Sequence, residues 1–157
     1  MSQSAPQLTA INGAGFRLGI VAARFNEALV DGLLTRVQAG LGAAGVKAAD
    51  IAVVRVPGSH EVPWAAQALA NGGACDCVIG LGVLIAGDTN HHELVGESVS
   101  HALQQVALTT RVPVINGVMA VNTLAQAKAR CTGRINRGAE FAAAALAMAA
   151  LKRKFSR

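Results

Sequence analysis

Tyrosine is missing from the 157 residues, tryptophan occurs once, as Trp64, and aromatics make up only 3%. Proteins that hold single-stranded nucleic acid commonly stack its bases on aromatic platforms. So sparse a set argues against that class. Charge is also scarce: 15% of residues are charged, while 52% are hydrophobic. That balance excludes a disordered chain. Three cysteines, an odd number, argue against a disulfide framework. Long hydrophobic runs are lacking too. No stretch reaches the roughly 18 apolar residues of a membrane span, and Ala142–Leu151 is closely flanked by Glu140 and Lys152. The opening residues, MSQSAPQLTA, show no basic region followed by an apolar one, which argues against a signal peptide. A cytoplasmic, soluble, globular protein that meets no membrane is the expectation.

The common nucleotide and redox signatures are absent as well. Gly13-x-Gly15 and Gly80-x-Gly82 each begin a G-x-G, but Leu18 and Ile85 occupy the third glycine position. No G-x-x-x-x-G-K-[ST] occurs, so neither dinucleotide nor P-loop binding is indicated. Cys75 and Cys77 form C-x-C rather than the redox spacing C-x-x-C. With Cys131 they read as ordinary small apolar residues.

What is present fits one domain, with a core large enough to stand without disulfides. A domain this apolar has too little charge to cover its surface. Monomers rarely expose large apolar patches, so a homo-oligomer is expected. The net charge is +5 and uneven, with eight basic residues against Glu140 alone between Lys128 and Arg157. Nucleic-acid binding is one reading of that stretch. Another is that Lys152, Arg153, Lys154 and Arg157 complement the carboxyl end of a helix. Lys128, Arg130, Arg134 and Arg137 then form an anion site or a solvated face.

Residues 1–15 read as a loose arm. Phe16–Ala22, Ile51–Val56, Cys77–Ile85 and Val112–Met119 are short apolar runs that read as strands. Between the first two, Leu29, Leu33, Val37 and Leu41 recur at helical spacing, with Asn26 as the expected N-cap and Gly45 as the stop. Val62, Ala65, Ala66 and Leu69 make a second helical face. Val95, Val99, Ala102, Leu103 and Val106 make a third. Asn122 is the expected cap of a short helix through Arg130, and Asn136–Lys154 is a long Ala-rich helix. The order is βαβαβαβαα. Apolar runs without alternation suggest strands buried on both faces. The chain therefore reads as a three-layer α/β/α sandwich around a four-stranded parallel sheet.

Ligands bind such sheets outside the carboxyl ends of the strands. In this sequence those ends carry Arg24-Phe25-Asn26, Pro57-Gly58-Ser59-His60-Glu61, Gly87-Asp88-Thr89-Asn90-His91-His92 and Ile115-Asn116-Gly117. The run Gly87–Asn90 precedes a helix, whose free N–H groups suit a phosphate. Asp88 is compatible with that if its side chain caps the helix. Arg130 could complete the site with a bidentate contact. Histidines titrate near neutrality and can donate and accept protons in one cycle, which makes His91 and His92 acid/base candidates. His60, Glu61, His91 and His92 match no standard metal spacing, so no metal is expected. His101, on a helix, reads as structural.

Arg24-Phe25-Asn26, Pro57–Pro63, Gly82–His91 and Asn136–Glu140, in this order and spacing, resemble the signature segments of the 6,7-dimethyl-8-ribityllumazine synthases. The resemblance covers roughly residues 16–152. It implies a flavodoxin-like domain over residues 16–157 and a transferase of riboflavin biosynthesis. Such an enzyme condenses 5-amino-6-(ribitylamino)uracil with 3,4-dihydroxy-2-butanone 4-phosphate and uses no cofactor. The resemblance also implies pentamers, sites between neighbouring subunits, and riboflavin synthase as a candidate partner.

Carried over by position, Phe25 stacks on the pyrimidine, Ser59 and Glu61 hold the ribityl chain, and Leu84 and Ile85 line the ring pocket. Gly87, Asp88 and Thr89 form the phosphate loop, His91 is the acid/base group, and Arg130 is the phosphate arginine of the adjacent subunit. Asn116 stands at the ring-binding edge, where many relatives carry Phe. His60 and His92 also replace aromatics, and Arg137 lies one residue out of step with a family lysine. These departures leave open a rival reading, a flavin- or lumazine-binding shell protein with weak catalysis.

Overall fold

Four apolar runs pair side by side as one parallel sheet in the computed structural model, which describes residues 10–156. The elements are β1 (Leu18–Ala23), α1 (Glu27–Ala43), β2 (Ile51–Val56), α2 (Val62–Asn71), β3 (Cys77–Ile85), α3 (His91–Thr110), β4 (Val114–Val121), α4 (Leu124–Cys131) and α5 (Arg137–Phe155). The strand order is β2-β1-β3-β4, parallel throughout. The expected three-layer, flavodoxin-like arrangement is what forms.

Successive side chains of a strand point to opposite faces, so a strand covered on both sides must be apolar at every position. On β1, Ile20 joins the core beneath α1, α4 and α5, with Leu33, Leu41, Ile79 and Leu146. Its neighbour Val21 joins the core beneath α2 and α3, with Val62, Val78, Val99 and Leu103. Burial on both faces holds for β1 and for most of β3, the two inner strands. It does not hold for the edge strands: Ala52 and Val53 on β2, and Asn116 and Ala120 on β4, are exposed. The apolar stripe Leu29, Leu33, Val37 and Leu41 is the buried face of α1, as its spacing predicts. Small residues let α5 lie close against it; a Cβ added at Gly138 would stand 2.9 Å from the Leu33 carbonyl oxygen.

Local chemistry departs from expectation at several points. Asn26 takes the left-handed conformation (φ 56°) and makes no side-chain cap. Its Nδ2 instead donates to the Val83 carbonyl at 2.8 Å, latching the start of α1 to the end of β3. Asparagine tolerates that backbone better than most residues do. Thr123, not Asn122, caps α4, accepting from Gln126 N–H at 3.1 Å. Asn136 caps α5 as expected, accepting from Ala139 N–H at 3.0 Å. β4 runs on to Val121, two residues past the expected end. Of the expected arm, residues 1–9 lie outside the described residues. Within residues 10–15, Gly13 is buried and its N–H donates to the Ala44 carbonyl at 2.7 Å, while Ala10, Asn12, Ala14 and Gly15 are exposed.

At the amino ends of the strands, α5 is clamped to β3 by the buried Asp76. Arg153 donates to both its oxygens, at 2.9 and 2.6 Å, and Arg17 N–H donates at 2.8 Å. Burial alone would raise the Asp76 carboxyl, but these bonds and the charges of Arg153 and Lys152 outweigh it and hold the group below its usual value. The three cysteines are buried and unpaired. Burial pushes Cys77 up to about 12 and Cys131 up to about 11, which keeps both as thiols.

Candidate active site

The strand order reverses between β1 and β3, and a cavity of about 620 Å³ opens beyond their carboxyl ends. This is the position at which open parallel sheets bind ligands. Three loops and the first turns of α3 build it.

After β1, the N–H groups of Arg24 and Phe25 donate to the Pro57 carbonyl at 3.3 and 3.1 Å. This ties the first loop to the loop after β2 and sets Phe25 at the mouth, 72% exposed. Glycine at 58 permits the crowding there. A Cβ would meet Glu61 Oε2 at 3.0 Å and the Phe25 ring at 3.4 Å. Glu61 Oε2 accepts from Gly58 N–H at 2.9 Å. Its other oxygen makes no hydrogen bond among the described residues. Ser59 is buried, and its Oγ lies where a side chain at Gly82 would have to go. That hydroxyl has no hydrogen-bond partner among the described residues, a costly state for a buried polar group.

Leu84 and Ile85, half-buried at the end of β3, give the cavity an apolar wall. The loop from Gly87 to Asn90 is exposed and leads into α3, where Asn90 makes no side-chain cap. Thr89 Oγ1 accepts from His91 N–H at a long 3.4 Å. Beyond that long contact, among the described residues no side chain, that of Asp88 included, caps the start of α3. The first N–H groups of α3 carry the partial positive charge that suits an anion. His91 is the first residue of α3 and is exposed; His92, next along, is half-buried.

Phe25, Ser59, Glu61, Leu84, Ile85, Gly87, Thr89 and His91 thus line one cavity. Asn26, Gly58, His60, Val83, His92 and Val95 line it too. Val83 and Val95 were legible only as core positions, because periodicity does not show where a core face reaches a cavity. Asp88 is in the loop but not in the lining. Two expected residues lie elsewhere. Asn116 pairs in register with Gly80, three rungs and more below the Val83–Ile85 wall, which is about 10 Å or more at roughly 3.3 Å per residue. It sits in the body of β4 rather than at its carboxyl end. There its Oδ1 accepts from Val118 N–H at 3.0 Å on the outer edge of the sheet. Arg130 is on α4, in the opposite helical layer, and donates to Gln126 O of its own helix at 3.1 Å. The cavity contains no lysine or arginine of its own chain among the described residues. No three His, Cys, Asp or Glu side chains gather there as metal ligands.

The family model described as 6,7-dimethyl-8-ribityllumazine synthase matches residues 15–153. The chain belongs to the 6,7-dimethyl-8-ribityllumazine synthase family. Curated proteins of that name are similar to it over most of their length. One from Thermococcus gammatolerans is 42% identical over 90% of this chain and 91% of its own. One from Methylobacterium radiotolerans is 41% identical over 97% of this chain and 92% of its own. One from Xanthomonas campestris pv. campestris is 44% identical over 83% and 85%. Family membership gives the cavity its context: the segments that resemble lumazine synthase signatures supply three of its walls. No helix among the described residues is long and apolar enough to cross a membrane.

Proposed function

We propose that the chain condenses 5-amino-6-(ribitylamino)uracil with 3,4-dihydroxy-2-butanone 4-phosphate, releasing 6,7-dimethyl-8-ribityllumazine, phosphate and water. The observation that carries this reading is the gathering of Phe25, Ser59, Glu61, Leu84, Ile85, Gly87, Thr89 and His91 around one cavity in a chain of this family. The amine attacks the ketone, water leaves to form an imine, phosphate is eliminated, and ring closure expels a second water. Every step moves protons, and none changes the overall oxidation state. His91, at the mouth beside the phosphate loop, accepts and returns those protons. Phe25 stacks on the pyrimidine against Leu84 and Ile85. Ser59 and Glu61 take ribityl hydroxyls, and backbone N–H groups of the loop Gly87-Asp88-Thr89, with the start of α3, hold the phosphate.

A cation suits the phosphate, and among the described residues neither lysine nor arginine lines the chain's own cavity. Arg130, which the family resemblance implies is the phosphate arginine of the adjacent subunit, serves a neighbouring subunit's cavity. An assembly built from pentamers supplies that arrangement. The exposed Trp64, Leu108 and Phe155, each more than two-thirds exposed in the single chain, favour assembly. We read residues 16–157 as one domain, the location as cytoplasmic, and riboflavin synthase as a candidate partner that consumes the product.

Steady-state turnover with both substrates, read as lumazine absorbance over the uncatalysed background, tests the reading. Product above background, with Arg130→Ala raising KM for the phosphate substrate alone, is the expected result. A well-assembled oligomer with no rate above background would instead favour the binding or shell protein.

A further inference from the structure

Three backbone carbonyls just past α4 converge on one side chain of α1. Arg36 Nη2 donates to the Thr132 and Gly133 carbonyls at 2.6 and 2.7 Å, and Nη1 donates to the Ile135 carbonyl at 3.4 Å. No carboxylate pairs with this guanidinium among the described residues. Carbonyls at the end of a helix lack partners within it and carry partial negative charge, so a cation suits them. The backbones also come close at this point. A Cβ at Gly32, one turn before Arg36, would clash with the Thr132 methyl and stand 3.0 Å from the Cys131 carbonyl oxygen.

Packing alone holds α4 weakly. The helix has eight residues, of which only Ala127 and Cys131 are buried. Two turns of helix are marginal without tertiary support. Thr123 secures the start, and Arg36 secures the finish. Arg130 stands in the last turn, directly before the final residue Cys131 and close to the carbonyls that Arg36 holds. The direction in which Arg130 leaves the helix follows the setting of that turn.

We propose that Arg36 is a positioning residue. By holding the carbonyls after α4, it fixes the turn from which Arg130 reaches the substrate's phosphate in a neighbouring subunit's cavity. The proposal rests on the synthase reading above and deepens it. Arg36 itself stays on the carbonyls and does not touch the phosphate.

Steady-state kinetics with each substrate varied in turn test this. Arg36→Met keeps the aliphatic stem and removes the guanidinium. It should raise KM for the phosphate substrate roughly tenfold, as misplacement of a binding group does, and leave kcat and KM for the pyrimidine substrate little changed. In an Arg130→Ala background the same substitution should add nothing, because the side chain that Arg36 places is gone. A further rise in that background overturns the proposal, since Arg36 would then meet the substrate itself. Equal changes for both substrates, or none, overturn it too. If Arg36→Met fails to fold, Arg36→Lys, which keeps the charge on a shorter stem, carries the same comparison with a smaller rise.

Amide hydrogen exchange gives a readout apart from activity. Exchange over residues 124–135 should quicken in Arg36→Met while β1 and β3 stay as in wild type. Unchanged exchange over residues 124–135 overturns the proposal whatever the kinetics. Wild-type protein without turnover, or Arg130→Ala with unaltered KM for the phosphate substrate, would instead overturn the reading on which the proposal rests.

Discussion

Ser59 shows how one residue's role depends on its neighbours. Its hydroxyl occupies space that only glycine at position 82 leaves free. Gly82→Ala should therefore displace Ser59, costing about 1–3 kcal/mol of stability through overpacking. KM for the pyrimidine substrate should rise with little change in KM for the phosphate substrate; unchanged kinetics would separate Ser59 from binding. His91 differs, because it is exposed and nothing packs against it as tightly. His91→Ala should lower kcat roughly 10²–10⁴-fold, the usual contribution of a positioned acid/base group. Residual turnover should persist, since holding two substrates together contributes separately. Complete loss in a folded, assembled variant would give His91 another role.

Among the elements, α5 owes its position to contacts at both ends. Asn136 caps its start, and near its finish Arg153 reaches the buried Asp76 on β3's approach. Asp76→Asn should cost about 1–2 kcal/mol at neutral pH, a charge-assisted bond reduced by the partial exposure of Arg153. The Asp76 carboxyl is held below its ordinary value. Its stabilising contribution is therefore full above the unfolded value of about 3.9 and is lost as pH falls through the lower folded value. Urea midpoints of wild type and Asp76→Asn should differ at pH 7 and converge in acid. A constant difference would deny the carboxylate that role. The clamp lies at the end of the sheet opposite the cavity, so kcat should stay near wild type.

For the whole molecule, the central prediction is a shared site. Mass measured by light scattering should be a multiple of five times the 16.0 kDa chain. Arg130→Ala and Phe25→Ala chains, each weak alone, should regain activity when unfolded together and reassembled. Some interfaces then pair an intact cavity with an intact Arg130. Activity no higher than the average of the separate variants would place Arg130 outside a neighbour's cavity.

Much of this arrangement was legible in the residues. Apolar runs at β1 and β3 and the helical spacing of Leu29, Leu33, Val37 and Leu41 are local patterns, because burial repeats with the period of each element. The clustering of Phe25, Ser59, Glu61 and His91 was legible too, because a parallel sheet brings the loops after its strands to one end. Cap identity was not: Asn26 and Asn122 are both good capping residues. A bond across the fold to Val83 drew the first away, and the neighbouring Thr123 took the place of the second. The bounds of β4 and Asn116's distance from the cavity were set by the register with β3, which pairs Asn116 with Gly80 and runs on to Val121. The layers, the strand ends and the chemistry available there are written in local patterns of residues. Which of those groups share a cavity, and which polar atoms are buried without partners among the described residues, emerged with the packing. Those facts depend on packing between segments far apart in the chain, and no local period records it.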